Sequence, residues 1–302
     1  MFMFVKLIKN RYVLINRWKK YIRNLKNIER ENTLLKSNFS FLIREKYSVI
    51  IDPTEKIDFN SNEFNVYSQN GEDGLLLNIL SFIGVKNYKI IEFGASDGRQ
   101  CNSANLILNF NWKALLIEGN PEKVASGKKY YMASGINSQN VKYINSFINT
   151  ENINDLFTSN GFSGEIDILS IDIDGNDYHV WKAIHCVNPR IIVCEYNAAF
   201  GPVRKCTIPY DPGFTLRSKE NSGFYFGASL SLLEDLGNEK GYSLVGTDKL
   251  GVNAFFVRND LITPELHVQN AQSCYHINLK CLEAGGFENA YNKIKHLPFY
   301  TL

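Results

Sequence analysis

The chain predicts an α/β fold, a mostly parallel sheet wrapped by helices on both faces, with a basic helical arm in front of it. Two observations carry this. From Tyr67 onward, short apolar runs of strand length alternate with amphipathic stretches of helix length, the rhythm of strand–helix–strand units. Charge is also divided unevenly: residues 1–46 hold 12 Lys/Arg against 3 Glu, whereas the remainder holds 21 Lys/Arg against 28 Asp/Glu. The basic part is therefore a separate object.

In the arm, residues 1–50, the apolar positions Val5, Ile8, Tyr12, Ile15, Trp18, Ile22 and Leu25 recur every three or four residues, with Lys9, Arg11, Lys19, Arg23 and Lys26 between them. This is the pattern of an amphipathic helix. Such a helix packs on its own domain, joins a second copy as a homo-oligomer contact through residues 1–46, or lays its basic face on an anionic membrane as a peripheral contact. Nucleic acid is not an expected partner. Residues 51–66, polar and interrupted by Pro53, read as a linker.

The main domain then spans 67–260. GEDGLLLNILSFIG reads as a helix, YKIIEFG (88–94) as a strand, 102–109 as a helix and KALLIEG (113–119) as a strand. A helix over 121–132, a strand over 141–147, a helix over 152–159 and the apolar strand IDILSID (166–172) follow. DYHVWKAI is a helix leading to PRIIVCEYN (189–197), again an apolar strand. Residues 198–227 are loop-like and aromatic; SLSLLEDLGNEKG is a helix, and YSLVGTD and NAFFVRN form a hairpin across KLGV. Residues 261–302 are expected to form a helical extension.

No window of about 18 uninterrupted apolar residues exists, and basic residues break the start before it reaches signal-peptide length. The six cysteines form no CxxC pair and no even framework, which suits reduced thiols in a cytoplasmic protein. Contact with the inner membrane face through the arm stays open. Richness in Lys, Asn and Ile suggests an AT-rich bacterial genome.

The stretch IIEFGASDG places Gly94 and Gly98 where the first parallel strand turns into its helix, the place at which ligands of such sheets bind. Dinucleotide sites require GxGxxG so that the chain can approach a pyrophosphate. Here the spacing from Glu92 to Gly98 is ExGxxxG, which points to a nucleoside without a pyrophosphate. S-adenosylmethionine fits: it carries a ribose, an adenine, a carboxylate and a sulfonium, but no phosphate. At the end of the second strand Glu118, 26 residues beyond Glu92, is placed to accept hydrogen bonds from ribose hydroxyls. The expected cofactor-binding residues are Glu92, Gly94, Ser96, Asp97, Gly98, Glu118, Gly119 and Asn120. The competing reading is a glycine turn that serves helix–sheet packing alone.

YSQNGED (67–73), IIEFGASDG, LLIEGNPE, DILSIDIDGNDYHVW (167–181), PRIIVCEYN and GVNAFFVR (251–258), in this order, resemble the FkbM-type class I S-adenosylmethionine-dependent methyltransferases over residues 64–260. The resemblance implies a Rossmann-like, doubly wound, seven-stranded sheet whose last strand is antiparallel. It also implies O-methylation of a small-molecule or glycan acceptor: a carbohydrate, glycan or nucleotide-sugar hydroxyl. The arm and the tail lie outside it.

Asp172, Asp174 and Asp177 surround the end of the fourth parallel strand, and Glu195 and Asn197 end its neighbour. So many carboxylates in one place require a cation or a shared proton, unless some of them cap the following helix. Asp172 or Asp174 is the expected general base, with His179 as a further candidate. Asp172, Glu195 and Asn197 together would suit Mg²⁺ through oxygen ligands, in outline like the metal-dependent methyltransferases of the catechol type, from which the intervening Tyr196 departs. Tyr210, Phe214, Tyr225 and Phe226 are the expected acceptor lid, and Arg204 and Lys205 would suit a phosphorylated or acidic acceptor. An NAD-dependent dehydrogenase and a non-catalytic Rossmann-like scaffold that uses the basic arm remain as alternatives.

Overall fold

The computed structural model describes residues 59–216 and 220–301. The arm, and with it the contact expected through residues 1–46, lies outside the described residues. Seven strands build one sheet: β1 (Lys89–Phe93), β2 (Lys113–Glu118), β3 (Val141–Asn145), β4 (Gly164–Ile171), β5 (Val187–Glu195), β7 (Tyr242–Thr247) and β8 (Asn253–Arg258), in the order β3-β2-β1-β4-β5-β8-β7. β8 runs antiparallel to both neighbours, and the other adjacent pairs are parallel. The expected Rossmann-like sheet with an antiparallel last strand is present.

Its strands are legible because both faces are covered: Ile90, Ile91, Leu115, Leu116, Ile168, Leu169, Ile191 and Ile192 are buried, so the strands read as unbroken apolar runs. The helix α1 (Glu72–Ile83) leads into β1, and α2 (Ala104–Phe110), α3 (Pro121–Ala133), α4 (Ile153–Ser159), α5 (Asp177–Ala183) and α6 (Leu230–Glu239) lie between successive strands of the sheet. α3 begins with Asn120 accepting the N–H groups of Glu122 and Lys123, followed by Pro121. On α5, Trp181 packs on Phe256 of β8 with ring centroids 4.9 Å apart.

Strand order reverses between β1 and β4, which opens a crevice beyond their carboxyl ends. Because β8 is antiparallel, its first residue, Asn253, lies at this same edge directly opposite Glu195, the last residue of β5.

Residues on both sides of the main domain pack onto it. Phe59 stacks edge-on against Phe255 at 5.7 Å, and the Nδ2 of Asn60 donates to the Thr247 carbonyl at 2.7 Å. Past residue 260 come α7 (Ala271–Cys274), α8 (Leu279–Glu283), α9 (Phe287–Ile294) and β9 (Tyr300–Thr301). β9 pairs with β6 (Cys206–Thr207), Ile294 joins the core, and the Tyr196 hydroxyl donates to the His276 carbonyl at 2.7 Å. The six cysteines are free thiols. Among the described residues, no helix is long and apolar enough to cross a membrane.

Candidate active site

A cleft of about 530 Å³ opens at the sheet edge where the strand order reverses, a size ordinary for small-molecule sites. Its first half is built by the turns after β1 and β2. Gly94 has φ 78°, and a Cβ there would lie 1.5 Å from the backbone oxygen of Asp172, so only glycine allows the β1 turn to sit against the end of β4. Ser96, two residues on, is also left-handed, at φ 52°. Glu92, 5% exposed, accepts the N–H groups of Asn102 and Ser103, both at 2.9 Å. Burial raises its proton affinity, and these hydrogen bonds oppose the rise.

Glu118 accepts the Ser96 N–H on Oε2 at 3.0 Å and the Asn120 N–H on Oε1 at 2.8 Å. It thereby joins the two turns, and each oxygen keeps a lone pair for a ligand. Of the expected cofactor residues, Glu92, Gly94, Ser96, Glu118 and Gly119 line the cleft. Asp97, Gly98 and Asn120 do not. Asp97 pairs with Arg99, the Gly98 carbonyl accepts the Tyr131 hydroxyl at 2.7 Å, and Asn120 caps α3. They shape the turns without reaching the ligand space.

The second half lies at the ends of β4, β5 and β8. Asp172, Asp174 and Glu195 each bring one carboxylate oxygen to within 4.8 Å of the others. Asp174 adopts φ 58°, a left-handed conformation uncommon for a residue with a Cβ and of the kind that accumulates at functional sites. Burial, and then the neighbouring carboxylates Asp177, Asp174 and Glu92, hold the Asp172 carboxyl well above its usual range. Burial and Asp172 do the same to Glu195, whose Oε2 is enclosed without a hydrogen-bond partner. Both therefore bind a proton more tightly than an isolated carboxyl. Asp177 does not belong to the group: it accepts the N–H groups of Ile173 and Gly175, both at 2.9 Å, and so ties the turn before α5. Burial pushes it up to about 6.

Several expected residues are placed elsewhere. Asn197 is no ligand: its Oδ1 accepts the Ala199 N–H, and its amide hydrogens go to the carbonyls of Phe224 and Phe226. His179 is no base for this cleft, since its Nε2 meets the Ile208 carbonyl at 2.8 Å and its ring packs among Tyr178, Tyr210 and Tyr300. Arg204 pairs with Glu288 and Lys205 with Asp235, away from the cleft. Of the expected lid only Phe214 lines it; the Tyr210 hydroxyl donates to Glu151 and the Tyr225 hydroxyl to the Pro298 carbonyl. Phe214 approaches so closely that a Cβ on Gly175 would lie 2.3 Å from its ring.

Sequence reasoning did not assign Gln69, Asn70, Glu72, Lys123, Phe147 and Asn253, which also line the cleft. The motif stretches YSQNGED and GVNAFFVR contain four of them, so the signal was present without a position to attach it to. Glu72 accepts the backbone N–H of Asn70 at 2.6 Å, its side-chain amide at 2.8 Å and the Asn253 amide at 2.8 Å. Among the described lining residues six carboxylates, Glu72, Glu92, Glu118, Asp172, Asp174 and Glu195, face one cation, Lys123. The cleft repels phosphate and attracts positive charge.

No protein-family profile matches the chain, and no curated protein matches it. Similar solved structures include the O-methyltransferase TomG from Streptomyces achromogenes, involved in tomaymycin synthesis and solved with S-adenosylmethionine (16% identity, 64% of this chain and 82% of that one, TM-score 0.41). An O-methyltransferase from Bacillus cereus solved with S-adenosylhomocysteine has 13% identity over 64% and 82%, with TM-score 0.41. The N-terminal domain of EvdMO1 with S-adenosylhomocysteine has 14% identity over 64% and 81%, with TM-score 0.40. At these values no chemistry carries over, and function is read from the cleft.

Proposed function

We propose that the protein is an S-adenosylmethionine-dependent O-methyltransferase of FkbM type, acting on a carbohydrate or glycan hydroxyl. The observation that carries this is the acidic cleft at the strand-order reversal: Glu118 keeps open lone pairs at the end of β2, where a ribose docks, and the glycine turn is ringed by carboxylates that favour a sulfonium over a pyrophosphate. The same charge argues against the nucleotide-linked form of the acceptor and against NAD. S-adenosylmethionine supplies a methyl group already activated by its sulfonium. Glu118 would hold the ribose hydroxyls, and the acidic lining of the cleft would favour the cationic end over a phosphate. Asp172, with its raised proton affinity, would accept the proton of the acceptor hydroxyl as the oxygen–methyl bond forms and the sulfur–methyl bond breaks, S-adenosylhomocysteine leaving as the neutral thioether. Phe214 and Phe147 offer apolar faces to a sugar ring or to adenine.

Calorimetric titration with S-adenosylmethionine, S-adenosylhomocysteine and NAD tests the reading. The first two bind and NAD does not; Glu118→Ala weakens binding by roughly 1.5–3 kcal/mol, the range for a charged hydrogen bond. Unchanged affinity in folded Glu118→Ala rejects the assignment, and binding of none of the three favours the scaffold. For the basic arm we infer attachment of a cytoplasmic enzyme to an anionic surface or to a second copy, with vesicle pelleting and elution volume as the measurements.

A further inference from the structure

We infer that Asp172, Asp174, Glu195 and Asn253 form a site for a hard divalent cation of the Mg²⁺ or Mn²⁺ class, with Glu72 as its positioning residue. The three carboxylates present oxygens within 4.8 Å of one another, so that small side-chain rotations would let a single ion touch all three. Proximity alone would not distinguish an ion site from a proton-sharing cluster.

Two further observations point to a ligand. The Glu195 Oε2 is enclosed and has no hydrogen-bond partner, which is costly for an ionised oxygen unless something else fills the place. Asn253, 4% exposed, stands opposite Glu195 across the β5–β8 pair and lines the cleft. Its Nδ2 donates to Glu72 Oε1 at 2.8 Å. Glu72 already receives both N–H groups of Asn70, so it acts as an acceptor, and the orientation of the Asn253 amide follows from that. Oδ1 is left as the atom that the amide offers to the cleft. A neutral amide oxygen beside three carboxylates is a donor set for a hard cation, and water completes the shell. The neutral ligand expected at Asn197 is thus supplied from another strand, while Asn197 holds the loop at Phe224.

This inference deepens the methyl-transfer reading: an ion held by Asp172 and its neighbours would acidify a bound hydroxyl, and Asp172 would then act through the ion and not as a free base. It is tested without the nucleoside: the full chain is titrated with Mn²⁺ alone at pH 8, free Mn²⁺ being followed by electron paramagnetic resonance. One Mn²⁺ per chain is expected, with affinity lost in Asp174→Asn and Glu195→Gln. Glu72→Gln should weaken it about 10- to 100-fold, the usual effect of removing a partner that orients a ligand. Asp174→Asn alters an exposed loop residue, so it keeps the test decisive if a buried variant fails to fold. No saturable binding, or wild-type affinity in Asp174→Asn and Glu195→Gln, overturns the site. Wild-type affinity in folded Asn253→Ala overturns the role of Asn253. S-adenosylhomocysteine affinity, measured separately in metal-free buffer, reports on the methyltransferase reading alone.

Discussion

At the ends of β1 and β2, Glu92 and Glu118 each accept two backbone N–H groups; at the ends of β4 and β5, Asp172, Asp174 and Glu195 have no such bonds among the described residues. Glu92 and Glu118 are thus stabilised by fixed dipoles before any ligand arrives. The other three repel one another and are stabilised only by a proton or by something cationic that comes from outside. One half of the cleft is electrostatically satisfied in advance, and the other is left incomplete.

The sharpest way to break this comparison is Asp172→Asn. Turnover should fall by about 10²–10⁴ while S-adenosylhomocysteine affinity is retained, as for loss of a general base. Unchanged turnover would make the second half a structural cap.

Stability should respond differently in the two halves. Glu92→Gln sets an amide NH₂ against one of two N–H donors and should lower stability by about 1–3 kcal/mol in denaturant unfolding. Asp174→Asn removes one unopposed charge and should leave stability unchanged or raise it at pH 8. Equal losses in both variants would erase the distinction.

Acidity offers a finer test. Asp248 accepts the N–H groups of Asn253 and Val252, and burial, with Glu72 and Glu63 repelling it, pushes its carboxyl up to about 7. A carboxyl whose folded-state value is raised binds protons more tightly when folded, so its stabilisation is complete below the ordinary value of 3.8 and is lost as pH rises through about 7. The melting temperature should fall between pH 5 and pH 8, and less steeply in Asp248→Asn. The smallest effect belongs to His179→Gln, which should leave turnover unchanged because the ring meets Ile208 and not the cleft.

The sheet was legible because its strands are buried on both faces and each ends in a turn residue, so that apolar runs and punctuation coincide. That Glu92, Gly94 and Glu118 line the cleft was legible for the same reason: their place at a strand end or turn is set by where they stand in the chain. Asn197 and His179 were misplaced because residue type and position along a strand or helix do not reveal which way a side chain faces; one holds a loop through Phe224 and Phe226, the other lies under Ile208. Glu72 and Asn253 were not assigned, since their hydrogen bond joins residues 181 positions apart, beyond any local pattern.

That separation bears on the order in which the cleft is assembled. The bonds of Glu92 to Asn102 and of Glu118 to Ser96 close loops of 10 and 22 residues, whereas the Glu72–Asn253 bond closes one of 181. Loop-closure entropy delays distant contacts, so the turns after β1 and β2 should form early on a short segment and the acidic half should form only when β8 slots between β5 and β7. Pulse-labelled hydrogen exchange during refolding would see the amides of Asn102 and Ser103 protected before that of Asn253. The chain would therefore pass through a stage in which the glycine turn and its partner Glu118 are set while the acidic half of the cleft is still open.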